Sequence, residues 1–366
     1  MSIGRNRKRR EGYRGIALIL LICMFLTGCG SKQNSLMEYR PQMPATAQVQ
    51  TTAPSGNEMA KETQSADSEE EGTSDVSLAK NSVSSAYSME YLSQDICVIP
   101  KKAQSPKNSD SVMTAGASLI VNDSTDEMLF SRNIYKKMYP ASITKIVTAL
   151  VALKYGNMDD VVTVSHNAAN ITEYGATLCG FKEGDQIKLK RLLYSLLIHS
   201  GNDAGIAIAE HISGSEEAFA EMMNQEMKEL GASDSHFMNA HGLHEEQHYT
   251  TAYDMYLVFH ELLQYDTFLD IVSRSSYKAK FKGADGKSKT LQFQSTDRYL
   301  IGRASAPKGI KVIGGKTGTT SAAGSCLILY SQDASEQDYI SVVLHAEGAA
   351  SLYLQMNKLL EYIPKE

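Results

Sequence analysis

The stretch Tyr139-Pro140-Ala141-Ser142-Ile143-Thr144-Lys145-Ile146-Val147-Thr148-Ala149-Leu150 organises the reading of the whole chain. Pro140 suits the position ahead of, or at, the first turn of a helix, where a missing N–H costs nothing. From there Ile143, Ile146, Val147, Leu150 and Val151 recur at the spacing of a core-facing helical stripe. Ser142 and Lys145 stand three residues apart, so one turn of helix brings both side chains into the same space. A serine is a weak nucleophile until a nearby base takes its proton, and a lysine kept neutral by burial and neighbouring cations is such a base. The free N–H groups of the helix N-terminus suit a developing oxyanion.

Two further short motifs follow, Ser200-Gly201-Asn202 and Lys316-Thr317-Gly318. The first, on its own, also suits a plain turn between helices. Around these motifs the chain reads as strand (Gly116 to Val121), turn (Asn122 to Asp126) and return strand (Met128 to Phe130), then the Ser142 helix, stopping near Tyr155-Gly156-Asn157. Val161 to Val164 is short and β-like. Leu189 to Ile198, Asp203 to His211 and Glu216 to Leu230 follow as helices. Tyr277 to Phe281 and Leu291 to Phe293 flank the hairpin dipeptide Asp285-Gly286. Lys311 to Thr319, Gly324 to Tyr330 and Tyr339 to Leu344 are three later strands, and Leu352 to Tyr362 is a closing amphipathic helix. The pattern is α/β (α+β): a mostly helical middle inserted between β-rich ends.

The chain has 366 residues and a net charge of −6, with 42% hydrophobic residues, which indicates a soluble domain with a real core and no nucleic-acid partner. Its N-terminus carries a basic run (Arg5, Arg7, Lys8, Arg9, Arg10, Arg14) and an apolar segment from Ile16 to Leu26, too short to span a bilayer comfortably. From Gly30 to about Asp110 the composition is rich in Ser, Thr, Gln, Ala, Glu and Pro, including Glu69-Glu70-Glu71, and is expected to be disordered. Such a tether of about 80 residues has an r.m.s. span of roughly 50 Å. Tyr91 to Pro100 is slightly more apolar. Five scattered cysteines suggest neither a disulfide framework nor a zinc site, and Cys326 reads as a buried strand residue. His241, His244 and His248 lie near Glu245 and Glu246, but Gly242 breaks any helix that would align them and there is no His-Glu-x-x-His. The cluster reads as a turn with exposed histidines, with no metal and no cofactor.

Ser-x-x-Lys, Ser-x-Asn and Lys-Thr-Gly in this order resemble the serine–lysine acyl-transfer set of penicillin-binding proteins and class A β-lactamases. From Ala115 to about Leu360 the chain resembles the D-alanyl-D-alanine carboxypeptidases, the low-molecular-weight penicillin-binding proteins. Phe237-Met238-Asn239-Ala240-His241-Gly242-Leu243, Thr251-Ala252-Tyr253-Asp254 and Gly324-Ser325-Cys326-Leu327 add to the likeness. The resemblance implies the penicillin-binding protein/β-lactamase-like fold, an antiparallel sheet shared by the terminal strands and flanked by helices, with a mostly helical subdomain between. It implies an activity that removes the terminal D-alanine from peptidoglycan stem peptides, with β-lactams as covalent inhibitors.

It also implies residue roles. Ser142 is the nucleophile, Lys145 its base, and Ser200 a proton relay to the leaving group. Asn202 orients the substrate amide or Lys145. Lys316 on an edge strand adds positive potential, Thr317 and Thr319 meet the substrate carboxylate, and Gly318 allows its backbone to come close. The N–H groups of Ser142 and Thr319 form the oxyanion hole. Leu26-Thr27-Gly28-Cys29 resembles a lipobox, which implies a signal peptide over 1–28, an acylated Cys29 on a 29–110 linker, and a catalytic domain over 111–366 on the outer face of a bacterial cell membrane. The family often adds a small β domain; ending at Glu366, this chain is expected to lack it.

Three alternatives stand beside this reading. A class A β-lactamase shares the three motifs, but Ser235-His236-Phe237 stands where its deacylating Glu-x-x-x-Asn would fall. A wall-binding or β-lactam-sensing lipoprotein would keep the fold without turnover. An esterase or amidase would use the same chemistry on another substrate. One departure from the carboxypeptidases is that His345-Ala346-Glu347-Gly348-Ala349-Ala350-Ser351 contains no arginine, where some of them hold the substrate carboxylate.

Overall fold

The computed structural model describes residues 112–364. The expectations for the signal segment, Cys29, the linker and Tyr91 to Pro100 lie outside the described residues. The elements run β1 (Ala117–Asn122), β2 (Glu127–Arg132), a 3-10 turn (Ala141–Ile143), α1 (Thr144–Tyr155), β3 (Val161–Thr163), α2 (His166–Ala169) and β4 (Gln186–Lys188). Then come α3 (Leu189–Ile198), α4 (Asn202–Ser213), α5 (Glu216–Glu229), α6 (Ala252–Leu262), α7 (Asp266–Val272), β5 (Ser276–Lys282) and β6 (Ser288–Gln294). The domain closes with β7 (Lys311–Thr320), β8 (Gly324–Gln332), β9 (Asp338–Ala346) and α8 (Gly348–Leu360).

The two ends of the domain share one five-stranded antiparallel sheet in the order β2-β1-β9-β8-β7. Its central strands are mostly apolar because both faces are covered. Leu119, Val121, Ile328, Tyr330, Ile340, Val342 and Leu344 face the helical side, while Ile120, Leu327, Leu329 and Val343 face α8 through Leu352, Met356 and Leu359. This is the period-two alternation of a strand between two layers. β7 is an edge strand, so one side of the Lys316-Thr317-Gly318 backbone is left for another chain.

Three expectations need correction. The amphipathic reading of α1 was too narrow: Thr144 through Ala152 are all buried, because the helices α3 to α6 surround the element. Its threonines tolerate this because Thr144 and Thr148 donate to the carbonyls of Ala141 and Ala240 at 2.8 and 2.6 Å. The hairpin at Asp285-Gly286 is present, but it belongs to a second antiparallel sheet, β3-β4-β5-β6, that the sequence reading did not assemble. Helices α6 and α7 were missed, although Thr251 caps the first by accepting from the Asp254 N–H at 3.0 Å. Among the described residues no helix is long and apolar enough to cross a membrane.

Gly318 is where the sheet touches the Ser142 turn. A Cβ built there would sit 2.9 Å from the Ser142 and Ile143 nitrogens and 2.9 Å from the Pro140 oxygen, all backbone atoms that cannot swing aside. Gly318→Ala is therefore expected to cost about 1–3 kcal/mol in a denaturant melt. Unchanged stability would show that the contact is slack.

Candidate active site

The site is built where the 3-10 turn, the α3–α4 junction, the loop before α6 and β7 meet. Ser142 lies within the turn, half-buried, and the preceding residue Ala141 has a left-handed φ of +50°. One turn on, Lys145 is fully buried. Its Nζ lies 3.0 Å from Ser142 Oγ, 2.8 Å from Asn202 Oδ1 and 2.6 Å from the His241 carbonyl oxygen. The last two partners are acceptors. A neutral amine has two N–H bonds and one lone pair, so donating to Asn202 and His241 leaves the lone pair for the Ser142 hydroxyl. Burial pushes the Lys145 ammonium well below the ordinary lysine range, and the neighbouring Lys316 charge pushes it further. The more distant Cys179 and Asp203 oppose this in part.

Lys316 is the second buried lysine, 1% exposed, which rules out a solvated strand lysine. It donates to Ser200 Oγ at 3.0 Å and to the Thr317 carbonyl at 2.8 Å. No described carboxylate pairs with it, and burial pulls it down to about 7. Ser200, with a left-handed φ of +69°, thus faces Lys316 while Ser142 faces Lys145. Thr317 donates to Thr296 Oγ1 at 2.6 Å; Thr319 is exposed and lies 3.5 Å from Ser325 Oγ.

All eight residues singled out around the cleft therefore lie on the elements that converge here: Ser142, Lys145, Ser200, Asn202, Lys316, Thr317, Gly318 and Thr319. Cys29 lies outside the described residues. Cys326 is buried, as its strand position implied, and Cys179 is buried against Gly201.

Several supporting residues escaped the sequence reading. Asp203 accepts from the N–H groups of Cys179, Gly180 and Phe181, and the Thr177 carbonyl of that loop accepts from the Asn202 N–H at 2.7 Å. Asn239 knits the next loop, accepting from the His241 and Gly242 N–H groups and donating to the Leu243 carbonyl. That loop presents the His241 carbonyl to Lys145. The exposed-turn reading fails for His241 and His248, which are 6% and 2% exposed, and holds for His244. Among the described residues no group of three or more His, Cys, Asp or Glu is placed to hold a metal ion.

A serine beside a buried lysine that has no ion-pair partner among the described residues, with a second lysine across the cleft and an edge strand alongside, suits acyl transfer. Residues 99–348 match the family model for D-alanyl-D-alanine carboxypeptidase, peptidase family S11, and the chain belongs to this family. It is 32% identical over 266 residues to D-alanyl-D-alanine carboxypeptidase DacF of Bacillus subtilis, covering 71% of this chain and 65% of the relative. To DacC of Escherichia coli it is 32% identical over 256 residues, covering 68% of this chain and 60% of the relative. The chain thus spans somewhat under two thirds of the length of these curated relatives. Its fold is similar to the solved D-alanyl-D-alanine carboxypeptidase DacD from Francisella tularensis, with TM-score 0.59, 26% identity, 68% of this chain and 70% of that one. It is also similar to the Streptomyces K15 DD-transpeptidase, with TM-score 0.64, 24% identity, 71% of this chain and 98% of that one; at that identity the likeness concerns the fold alone.

Two buried lysines with lowered pKa values oppose folding at every pH below the unfolded value, and the cost is lost where the unfolded chain binds more protons than the folded one. For each, that window runs from the folded pKa up to the unfolded value near 10.4, so stability rises with pH across it. For Lys316, moving from 10.5 to about 7 corresponds to a cost on the order of 5 kcal/mol at low pH. Lys316→Met is accordingly expected to raise the melting temperature at pH 6. It should also move the acid limb of Ser142 acylation to higher pH, because Lys145 regains protons when the neighbouring charge is gone. A lower melting temperature with an unmoved acid limb would contradict this account.

Proposed function

We propose that the chain is a serine D-alanyl-D-alanine carboxypeptidase that removes the terminal D-alanine from peptidoglycan stem peptides through an acyl-enzyme on Ser142. The observation that carries the reading is the donor pattern at Lys145: two acceptors occupy its N–H bonds, and its remaining position meets Ser142 Oγ at 3.0 Å. In this reading Lys145 takes the Ser142 proton as the hydroxyl attacks the penultimate carbonyl. The oxyanion is held by the Ser142 and Thr319 N–H groups. Ser200, bonded to Lys316, passes a proton to the leaving amine, and water then releases the acyl group. Asn202 holds Lys145 and the substrate amide, while the peptide lies along the β7 edge. β-Lactams would acylate Ser142 and deacylate slowly.

The leaving residue carries a carboxylate, which requires positive charge near Thr317. A groove of about 430 Å³ adjoins that point. Thr177, His199 and Thr296 line it, and so do Arg298 and Arg303. Neither guanidinium has an ion-pair partner among the described residues. They suit the role left open by the missing arginine after Leu344. The proposal extends to the N-terminus: a signal peptide over 1–28, Cys29 acylated and tethering the 111–366 domain through the 29–110 linker, on the outer face of the cell membrane. The basic and apolar composition before Cys29 supports it.

Incubating the protein with a stem pentapeptide ending in D-Ala-D-Ala should release one alanine by mass spectrometry, and Ser142→Ala should abolish release. The pentapeptide amide should be a poorer substrate. The double variant Arg298→Gln/Arg303→Gln should raise KM about tenfold for the free acid alone. Penicillin adduct formation without alanine release would move the assignment to a β-lactam-binding or sensing protein, and rapid hydrolysis of a chromogenic cephalosporin to a β-lactamase.

A further inference from the structure

The turn before Ser142 is held by a hydrogen-bond chain whose direction can be worked out atom by atom. The Met238 N–H lies 3.1 Å from His248 Nδ1. A backbone N–H only donates, so Nδ1 is the accepting nitrogen and the imidazole proton sits on Nε2. His248 Nε2 lies 2.8 Å from Thr144 Oγ1 and donates to it. The Thr144 hydroxyl in turn donates to the Ala141 carbonyl at 2.8 Å. Both side chains are shut away from water, Thr144 at 0% and His248 at 2% exposure. The Phe237 ring meets the imidazole edge-on with centroids 5.3 Å apart. Burial, reinforced by His241, His236 and His244 and then Lys145, keeps the imidazole neutral, with its pKa lowered to about 3. The tautomer therefore persists across the pH range in which the enzyme would work.

What the chain grips is unusual backbone. Ala141 is a non-glycine residue at φ +50°, a conformation that costs on the order of 1 kcal/mol and persists only where its surroundings enforce it. On the other side the Ala141 carbonyl is walled by Gly242, at φ +85°, where a Cβ would come within 2.0 Å of the oxygen. Gly242 follows His241, whose carbonyl holds Lys145 at 2.6 Å. One segment, 238–248, thus holds the peptide that precedes Ser142 at one end and the base at the other.

We propose that His248 is a positioning residue for the acylation step: through Thr144 it fixes the Ala141 carbonyl, and with it the left-handed turn that aims Ser142 Oγ at Lys145. The proposal rests on the reading of Ser142 as the acylated serine. His248 touches no reacting atom. Its effect is to keep the Oγ–Nζ approach short, where a displacement of about 1 Å costs about a hundredfold in rate.

The two amide side chains separate the two halves of this role. Asn at 248 places its oxygen where Nδ1 accepts from Met238 but does not reach Thr144. Gln places an N–H where Nε2 donates. The experiment measures acylation of the full-length chain by a fluorescent penicillin, resolved into the non-covalent binding constant and the rate of the covalent step, with a thermal melt of each variant.

H248N and T144V are each expected to lose about 10- to 100-fold in the covalent step with the binding constant unchanged. H248Q is expected to stay within about threefold of the parent chain. The double variant H248N/T144V should be no slower than T144V, since both interrupt one chain. Equal losses in H248N and H248Q, a loss that follows the melting temperature, additive losses in the double variant, or no loss at all would each overturn the proposal. If the parent chain forms no adduct on Ser142, the functional reading fails instead, and peptide mapping of the adduct tells the two failures apart.

Discussion

Two lysine amines, Lys145 and Lys316, lie buried in one small space, and among the described residues no carboxylate forms an ion pair with either. An isolated ammonium removed from water is costly enough that the group gives up its proton instead. This constraint explains the rest of the site. The partners of Lys145 are an amide oxygen and a main-chain carbonyl, which stabilise an amine without restoring its charge. Lys316 meets a hydroxyl and a carbonyl in the same way. The stability given up here goes with an amine at Lys145 held well below the ordinary lysine range.

The scaffold can bear that cost because it is well packed on both sides. The five-stranded sheet has one apolar layer against α8 and a larger one against the helical subdomain, and α1 is enclosed in the latter. Burial of Thr144 through Ala152 on every side holds the first turns of α1, so the spacing of Ser142 and Lys145 becomes a fixed distance. The close approach of Gly318 sets the edge strand against the same turn, so the cleft has two rigid walls. Its remaining wall is the α3–α4 junction, held by Asp203 through three N–H groups of the 179–181 loop. Buried carboxylate and loop together place Asn202 where Lys145 needs it.

Much of this was legible in the residues. The three-residue spacing of Ser142 and Lys145, the strand nature of Lys311 to Thr319 and the hairpin at Asp285-Gly286 follow from local periodicity and turn chemistry, and the structure bears them out. The parts that escaped depend on long-range pairing. Nothing local to Val161 or Gln186 says that these short segments pair with each other and, through Lys282, with the hairpin strand. Thr144 and Thr148 look like the polar side of a helix until carbonyls from other segments accept their hydroxyls. His248 looks like part of an exposed cluster until Thr144 and the Met238 N–H satisfy both of its nitrogens. Helix α6 carried a local signal that was overlooked, the Thr251-x-x-Asp254 cap.

The most direct test of the central claim is the protonation state of Lys145 in the resting enzyme. Carbon-13 NMR of lysine labelled at Cε, in the full-length chain and assigned by comparison with Lys145→Met, reports that state as pH is varied. The account predicts a Lys145 signal that titrates well below the ordinary lysine value near 10.4. A Lys145 signal that stays that of an ammonium ion up to about pH 10 would contradict it.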